Sequence, residues 1–151
     1  MKKFELTAES KINIFEKKLF RIKALISFGD VEEGETGGWI EKEENLEQSS
    51  GDAWVYGDAE VYGNARVSGN ARVYGNADYT TIHGFGTQFR TTTFFQCEDK
   101  QIRVSCGCFL GTIPEFREQV KNTREGKIAE EYLMIADLME KHFVKEKESG
   151  E

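Results

Sequence analysis

Between residues 49 and 78 the chain repeats itself every six residues. Aligned on valine, it reads Val55-Tyr56-Gly57-Asp58-Ala59-Glu60, Val61-Tyr62-Gly63-Asn64-Ala65-Arg66, Val67-Ser68-Gly69-Asn70-Ala71-Arg72 and Val73-Tyr74-Gly75-Asn76-Ala77-Asp78, after the partial unit Ser50-Gly51-Asp52-Ala53-Trp54. A period this short leaves room in each unit for a strand of a few residues and one turn. The β-branched valine suits an inward strand position, Gly-Asn or Gly-Asp suits a corner with unusual backbone angles, and alanine suits a crowded interior.

This pattern resembles the hexapeptide repeats of the left-handed parallel β-helix, in which three units make one triangular turn. Residues eighteen apart should then stack: Tyr56 on Tyr74, and Trp54 over Arg72. Carried backwards at the same step, the register puts Glu43 in a valine place, which a buried interior rejects, so the regular segment is expected to begin near Ser49. About one and a half turns cannot bury a core alone, and flanking segments or a symmetric oligomer must cover the rest.

The flanks supply candidates. Phe4-Glu5-Leu6 and residues 18–25 alternate like half-buried strands, with a turn expected around Ala8-Glu9-Ser10. Gly37-Gly38 suggests a tight turn beside Trp39, a plug for one end of the repeats. Beyond the repeats, Ile82-His83-Gly84-Phe85-Gly86-Thr87 is a Gly-bearing connection. Residues 89–95 and 101–106 follow as an antiparallel hairpin around Glu98-Asp99-Lys100. Thr112-Ile113-Pro114-Glu115 carries a helix start: an N-cap threonine, a first-turn proline and a glutamate three places after the cap. Ile128, Tyr132, Ile135, Ala136, Met139 and Phe143 make one apolar stripe of a second helix, a core or trimer face. The expected fold is therefore mixed β+α: a short left-handed parallel β-helix (residues 49–80) with an N-terminal β cap and acidic lead-in (1–48) and a C-terminal β-hairpin plus two helices (81–151).

Charge is distributed unevenly. Residues 1–29 have a net +4, whereas residues 30–60 hold eleven acids against Lys42 alone, within a total of −7. A duplex-DNA binder needs a clustered basic surface, so duplex nucleic acid is not an expected direct partner. No run of about 18 apolar residues occurs, and no signal-like apolar stretch follows Met1-Lys2-Lys3, so a cytoplasmic protein without membrane association is expected. Three cysteines fit reduced thiols.

Alternation places Arg90, Thr92 and Phe94 on one face of a strand. Arg90 beside threonine hydroxyls, together with His83 and the flexible Gly84 and Gly86, forms a candidate anion site of charge-assisted bonds and backbone N–H groups. Cys97, Cys106 and Cys108 with His83 or His142 offer a metal reading, but the spacing lacks paired C-x-x-C knuckles and no metal or other cofactor is expected. His83 also raises an acyltransferase reading, without the many turns and extruded loop of such enzymes. The acids Glu41, Glu43, Glu44 and Glu47 offer a separate surface for a basic groove on another protein.

Phe28-Gly29-Asp30-Val31, Gly37-Gly38-Trp39-Ile40, the repeats, Thr91-Thr92-Thr93-Phe94-Phe95, Cys106-Gly107-Cys108-Phe109, Gly111-Thr112 and Glu115-Phe116 together resemble a family of phage and prophage hexapeptide-repeat proteins. Where that family has a Ser-Arg pair after the Gly-bearing connection, this chain has Thr87-Gln88, leaving Arg90 as the arginine of an anion site. That family has no settled function to carry over; a small, acidic phage protein without a visible catalytic constellation is expected to be a non-catalytic binder acting inside a bacterial host cell, in anti-defence or host modulation. On this basis the expected function is a homotrimer that sequesters a small anionic, nucleotide-like ligand at subunit interfaces. An acidic inhibitor of a host defence protein and a structural virion component are the alternatives.

Overall fold

The computed structural model describes residues 2–49, 51–107 and 109–144. Strand β1 (Phe4–Ile12) pairs antiparallel with β2 (Lys18–Ala24), and β2 pairs antiparallel with β3 (Thr36–Ile40). The reversal after β1 lies at residues 13–17, where the Asn13 side chain accepts from the Phe15 and Lys17 amides. Ala8-Glu9-Ser10, expected to be that turn, is instead a register shift inside β1. Gly37 and Gly38 also differ from expectation. They lie inside β3, where a Cβ on Gly37 would come within 2.6 Å of the Val55 carbonyl oxygen, so their role is close approach of two backbones.

In the repeats, β4 (Trp54–Val55), β5 (Glu60–Val61) and β6 (Arg72–Val73) are two residues long. β4 pairs in parallel with β6 through Trp54↔Arg72 and Val55↔Val73, whereas β5 forms the fourth strand of the first sheet, parallel to β3. Val55, Val61, Val67 and Val73, with Ala53, Ala59, Ala65 and Ala71, are all buried. Tyr56 and Tyr74 stack with ring centroids 4.3 Å apart. The Arg72 guanidinium bonds to Asp30 and Glu98 rather than resting on Trp54.

The expected left-handed parallel β-helix is not the fold. The long strands form two four-stranded sheets that are wholly or mainly antiparallel, and the repeats pair in parallel only over one or two residues at a time, β5 at the edge of the first sheet and β4 with β6 apart from both. So few repeats offer too little stacked surface to propagate a solenoid, and the antiparallel flanks cover the same valines.

The second sheet has order β10-β9-β8-β7 and is antiparallel throughout: β7 (Tyr79–Phe85), β8 (Arg90–Gln96), β9 (Ile102–Cys106) and β10 (Phe109–Thr112). The expected hairpin is thus its central pair. The Gly-bearing connection is mostly the edge strand β7, with its register broken between His83 and Phe85, and β9 and β10 pair antiparallel from Cys106 opposite Phe109 onward. Thr112 caps α1 (Ile113–Thr123), accepting from the Glu115 amide while Glu115 accepts from the Thr112 amide at 2.8 Å. Helix α2 (Gly126–His142) buries Tyr132, Ile135, Ala136 and Met139, and Arg117 ties the helices through Asp137 and Glu140. No helix among the described residues is long and apolar enough to cross a membrane.

Strand β8 serves two cores. Phe95 packs with the repeat valines, Trp54 and Phe4; Phe94 packs with Val104, Phe116, Tyr132 and Ile135 under the helices. Neighbouring residues on a strand point to opposite faces, so one sheet has the repeats on one side and the helices on the other.

Candidate functional site

Where the repeats meet the second sheet, a cleft of about 500 Å³ opens. Lys42 and Glu44 contribute from the turn after β3, Asn64 and Arg66 from the second repeat, His83 from β7, Arg90, Thr91 and Thr93 from β8, and Ser105 and Gly107 from the end of β9. Its volume lies in the usual range of small-molecule sites. Three basic side chains, Lys42, Arg66 and Arg90, line the cleft with one acidic side chain, Glu44, in a chain of net charge −7.

Each wall is held by specific bonds. Asn45 is fully buried: its Oδ1 accepts from the Glu41 and Lys42 amides, and its Nδ2 donates to the carbonyls of Gly63 (3.2 Å) and Ala65 (2.9 Å). This fastens the Lys42 turn to the repeat carrying Asn64, and Lys42 Nζ donates to Asn64 Oδ1 at 3.2 Å. The Arg66 amide donates to Thr93 Oγ1 at 3.1 Å, joining repeat to sheet. His83 Nδ1 lies 2.9 Å from Thr91 Oγ1. The Arg90 guanidinium reaches Gln88 Oε1 at 3.2 Å and lies directly against Gly107, where any Cβ would collide with it.

Among the described residues, Arg66 and Arg90 make no ion pair with a carboxylate. The charges at the last place of the repeats are treated differently elsewhere. Glu60 is neutralised by Lys11 at 2.9 Å, and Arg72 by Asp30 and Glu98. Arg66 alone of the two repeat arginines keeps its charge available.

The structure divides the residues expected to bind an anion. His83 and Arg90 line the cleft together, whereas Thr92 and Phe94 are buried beneath the helices, with Thr92 Oγ1 3.2 Å from Cys106 Sγ. Gly84 stands exposed at the irregularity of β7, and Gly86 faces the Tyr132 phenol on the helix side. Alternation grouped Arg90 with Thr92 and Phe94, but the residues of β8 that line the cleft with Arg90 are Thr91 and Thr93. Lys42, Arg66, Asn64 and Ser105 escaped the sequence reading; the signal available was the change from Glu60 to Arg66 at the last place of the repeat.

The acidic segment has mostly internal work. Glu41 Oε1 accepts from the Gly63 amide at 2.8 Å and Glu47 Oε1 from the Gly69 amide at 2.9 Å, each filling the turn of a repeat. Glu43 pairs with Lys2 and accepts from Gln48 Nε2, and these hydrogen bonds hold its carboxyl below the usual range. Glu44 is the one of the four that faces the cleft.

The described cysteines lie on opposite faces of the second sheet, Cys97 in the repeat core and Cys106 in the helix core; Cys108 lies outside the described residues. Burial pushes the Cys97 thiol up to about 12. No group of three or more His, Cys, Asp or Glu residues suited to a metal occurs among the described residues. The sequence matches no model of a known protein family and no curated protein.

Proposed function

We propose that this protein is a non-catalytic binder that holds a small anionic, nucleotide-like ligand in the cleft between its repeats and its second sheet. The observation that carries this reading is the convergence of Lys42, Arg66 and Arg90, with His83, on one cleft of a strongly acidic chain. Guanidinium forks match phosphate oxygens, and Thr91, Ser105 and Asn64 add neutral hydrogen-bonding groups for the rest of the ligand. The internal engagement of Glu41, Glu43 and Glu47 favours this reading over an acidic inhibitor.

The wider role we propose is sequestration of a nucleotide signal by a phage-encoded anti-defence protein, with the chain assembled as a homotrimer. The resemblance of the motifs to phage and prophage proteins supports the phage origin in this reading, and the cationic cleft supports the anionic ligand.

Calorimetric titration with adenosine monophosphate and with pyrophosphate at low salt tests the reading. Saturable binding, weakened about tenfold or more by Arg66→Ala and by Arg90→Ala and falling as salt rises, is the expected result. Binding that ignores both substitutions would overturn it.

A further inference from the structure

On the opposite side of Arg90 lies a second pocket, of about 280 Å³, between the second sheet and the two helices. Phe109, Phe116, Val120 and Tyr132 give it apolar and aromatic walls, and Arg90 and Arg124 bring two guanidinium groups to it. Arg124 makes no ion pair among the described residues and sits over the Tyr132 ring, 5.9 Å from its centre. Tyr132 is 2% exposed, and its hydroxyl makes no well-formed hydrogen bond, with only the weakly accepting Cys106 thiol beside it. Burial pushes this phenol up, so it stays protonated and able to donate.

A buried hydroxyl without a good partner is costly, and a phenylalanine would fill the same space without the cost. An apolar enclosure, two guanidinium groups without a carboxylate partner and a phenol donor that has only a thiol beside it together describe a receptor for a carboxylate on an apolar body. The volume is below that of typical drug-sized sites and suits a single ring. We propose that this pocket is a second ligand site, taking a small monocarboxylate that carries one aromatic ring. The carboxylate bonds to Arg124, Arg90 and the Tyr132 hydroxyl, and the ring packs among Phe109, Phe116 and Val120. Because Arg90 lines both cavities, occupancy here is coupled to the cleft through one side chain.

Benzoate is the probe, titrated calorimetrically into the full chain, its Tyr132→Phe, Arg124→Ala and Arg66→Ala variants. Saturable binding at one site per chain is expected, about tenfold weaker in Tyr132→Phe and in Arg124→Ala and unchanged in Arg66→Ala. Unliganded Tyr132→Phe should melt no lower than the parent, which separates loss of binding from loss of folding. Absence of saturable binding to the parent chain, or equal affinity in the first two variants, would overturn the proposal. So would displacement of benzoate by adenosine monophosphate together with its loss in Arg66→Ala, since that places it in the cleft. Benzoate binding without any nucleotide binding would instead refute the cleft reading alone.

Discussion

Replacing Asn45 by alanine removes the tie between the Lys42 turn and the second repeat. Four hydrogen bonds disappear, three of them partly buried and one, to the Ala65 carbonyl, fully buried. Water reaches the first three in part, at about 1 kcal/mol each, and the orphaned buried carbonyl costs about 1 to 3 kcal/mol. The expected loss is about 4 to 6 kcal/mol, a large share of the roughly 5–15 kcal/mol that holds a domain together. In urea unfolding, with a slope of about 2 kcal/mol per molar, the midpoint should fall by about 2 to 3 M. Asn45→Asp is the informative companion. It keeps the two acceptor positions but sets a carboxylate oxygen against two carbonyls, so it should be at least as damaging at pH 7. It should recover partly as pH falls, when the new carboxyl protonates and regains a donor. A loss below about 1 kcal/mol in Asn45→Ala, or an Asn45→Asp variant without pH dependence, would refute the assignment of Asn45 as the fastener of the cleft wall.

Lys3 is 2% exposed, donates to the Ala53 carbonyl, and burial lowers its ammonium to about 8 against the opposing pull of Glu47 and Asp52. Between pH 8 and the ordinary lysine value the unfolded chain holds a proton that the folded chain has released, so stability rises with pH. Relative to Lys3→Met, the parent should gain about 2 to 3 kcal/mol between pH 7 and pH 10, measured by paired urea titrations. Gly37→Ala should cost about 1 to 3 kcal/mol in the same assay, because its Cβ meets the Val55 carbonyl and the Trp54 ring at 2.6 and 2.7 Å. With Cys106 and Cys108 changed to alanine, Cys97 should resist a thiol–disulfide reagent at pH 8 until urea is added, since its thiol is buried and protonated.

The local signals in the chain were legible where a few adjacent residues decide the structure. The capping pair Thr112 and Glu115 starts α1 where the motif sits, and the repeat valines and alanines face inward. What a fixed six-residue step could not reveal was the insertion around Glu43–Asn45. That turn adds three residues, so Ile40 and Leu46 stand opposite Val61 and Val67 at a spacing of twenty-one, and Glu43 never occupies a valine place. The antiparallel sheets were underestimated for a related reason. Register between β2 and β3, or β7 and β8, is a non-local choice that depends on which faces the repeats and helices cover. The same limit applied to the site: Arg90 and His83 were visible as chemistry, but Lys42 and Arg66 join them only once the repeats pack on β8.

The cleft reading is tested most directly by amide chemical shifts of the labelled chain during titration with adenosine monophosphate. Saturating shifts should cluster at residues 42–44, 64–66, 83, 90–93 and 105–107, and Arg66→Ala should abolish them. Shifts scattered over the surface, or gathered at the 13–17 turn or along the outer face of α2, would contradict a ligand site between the repeats and the second sheet.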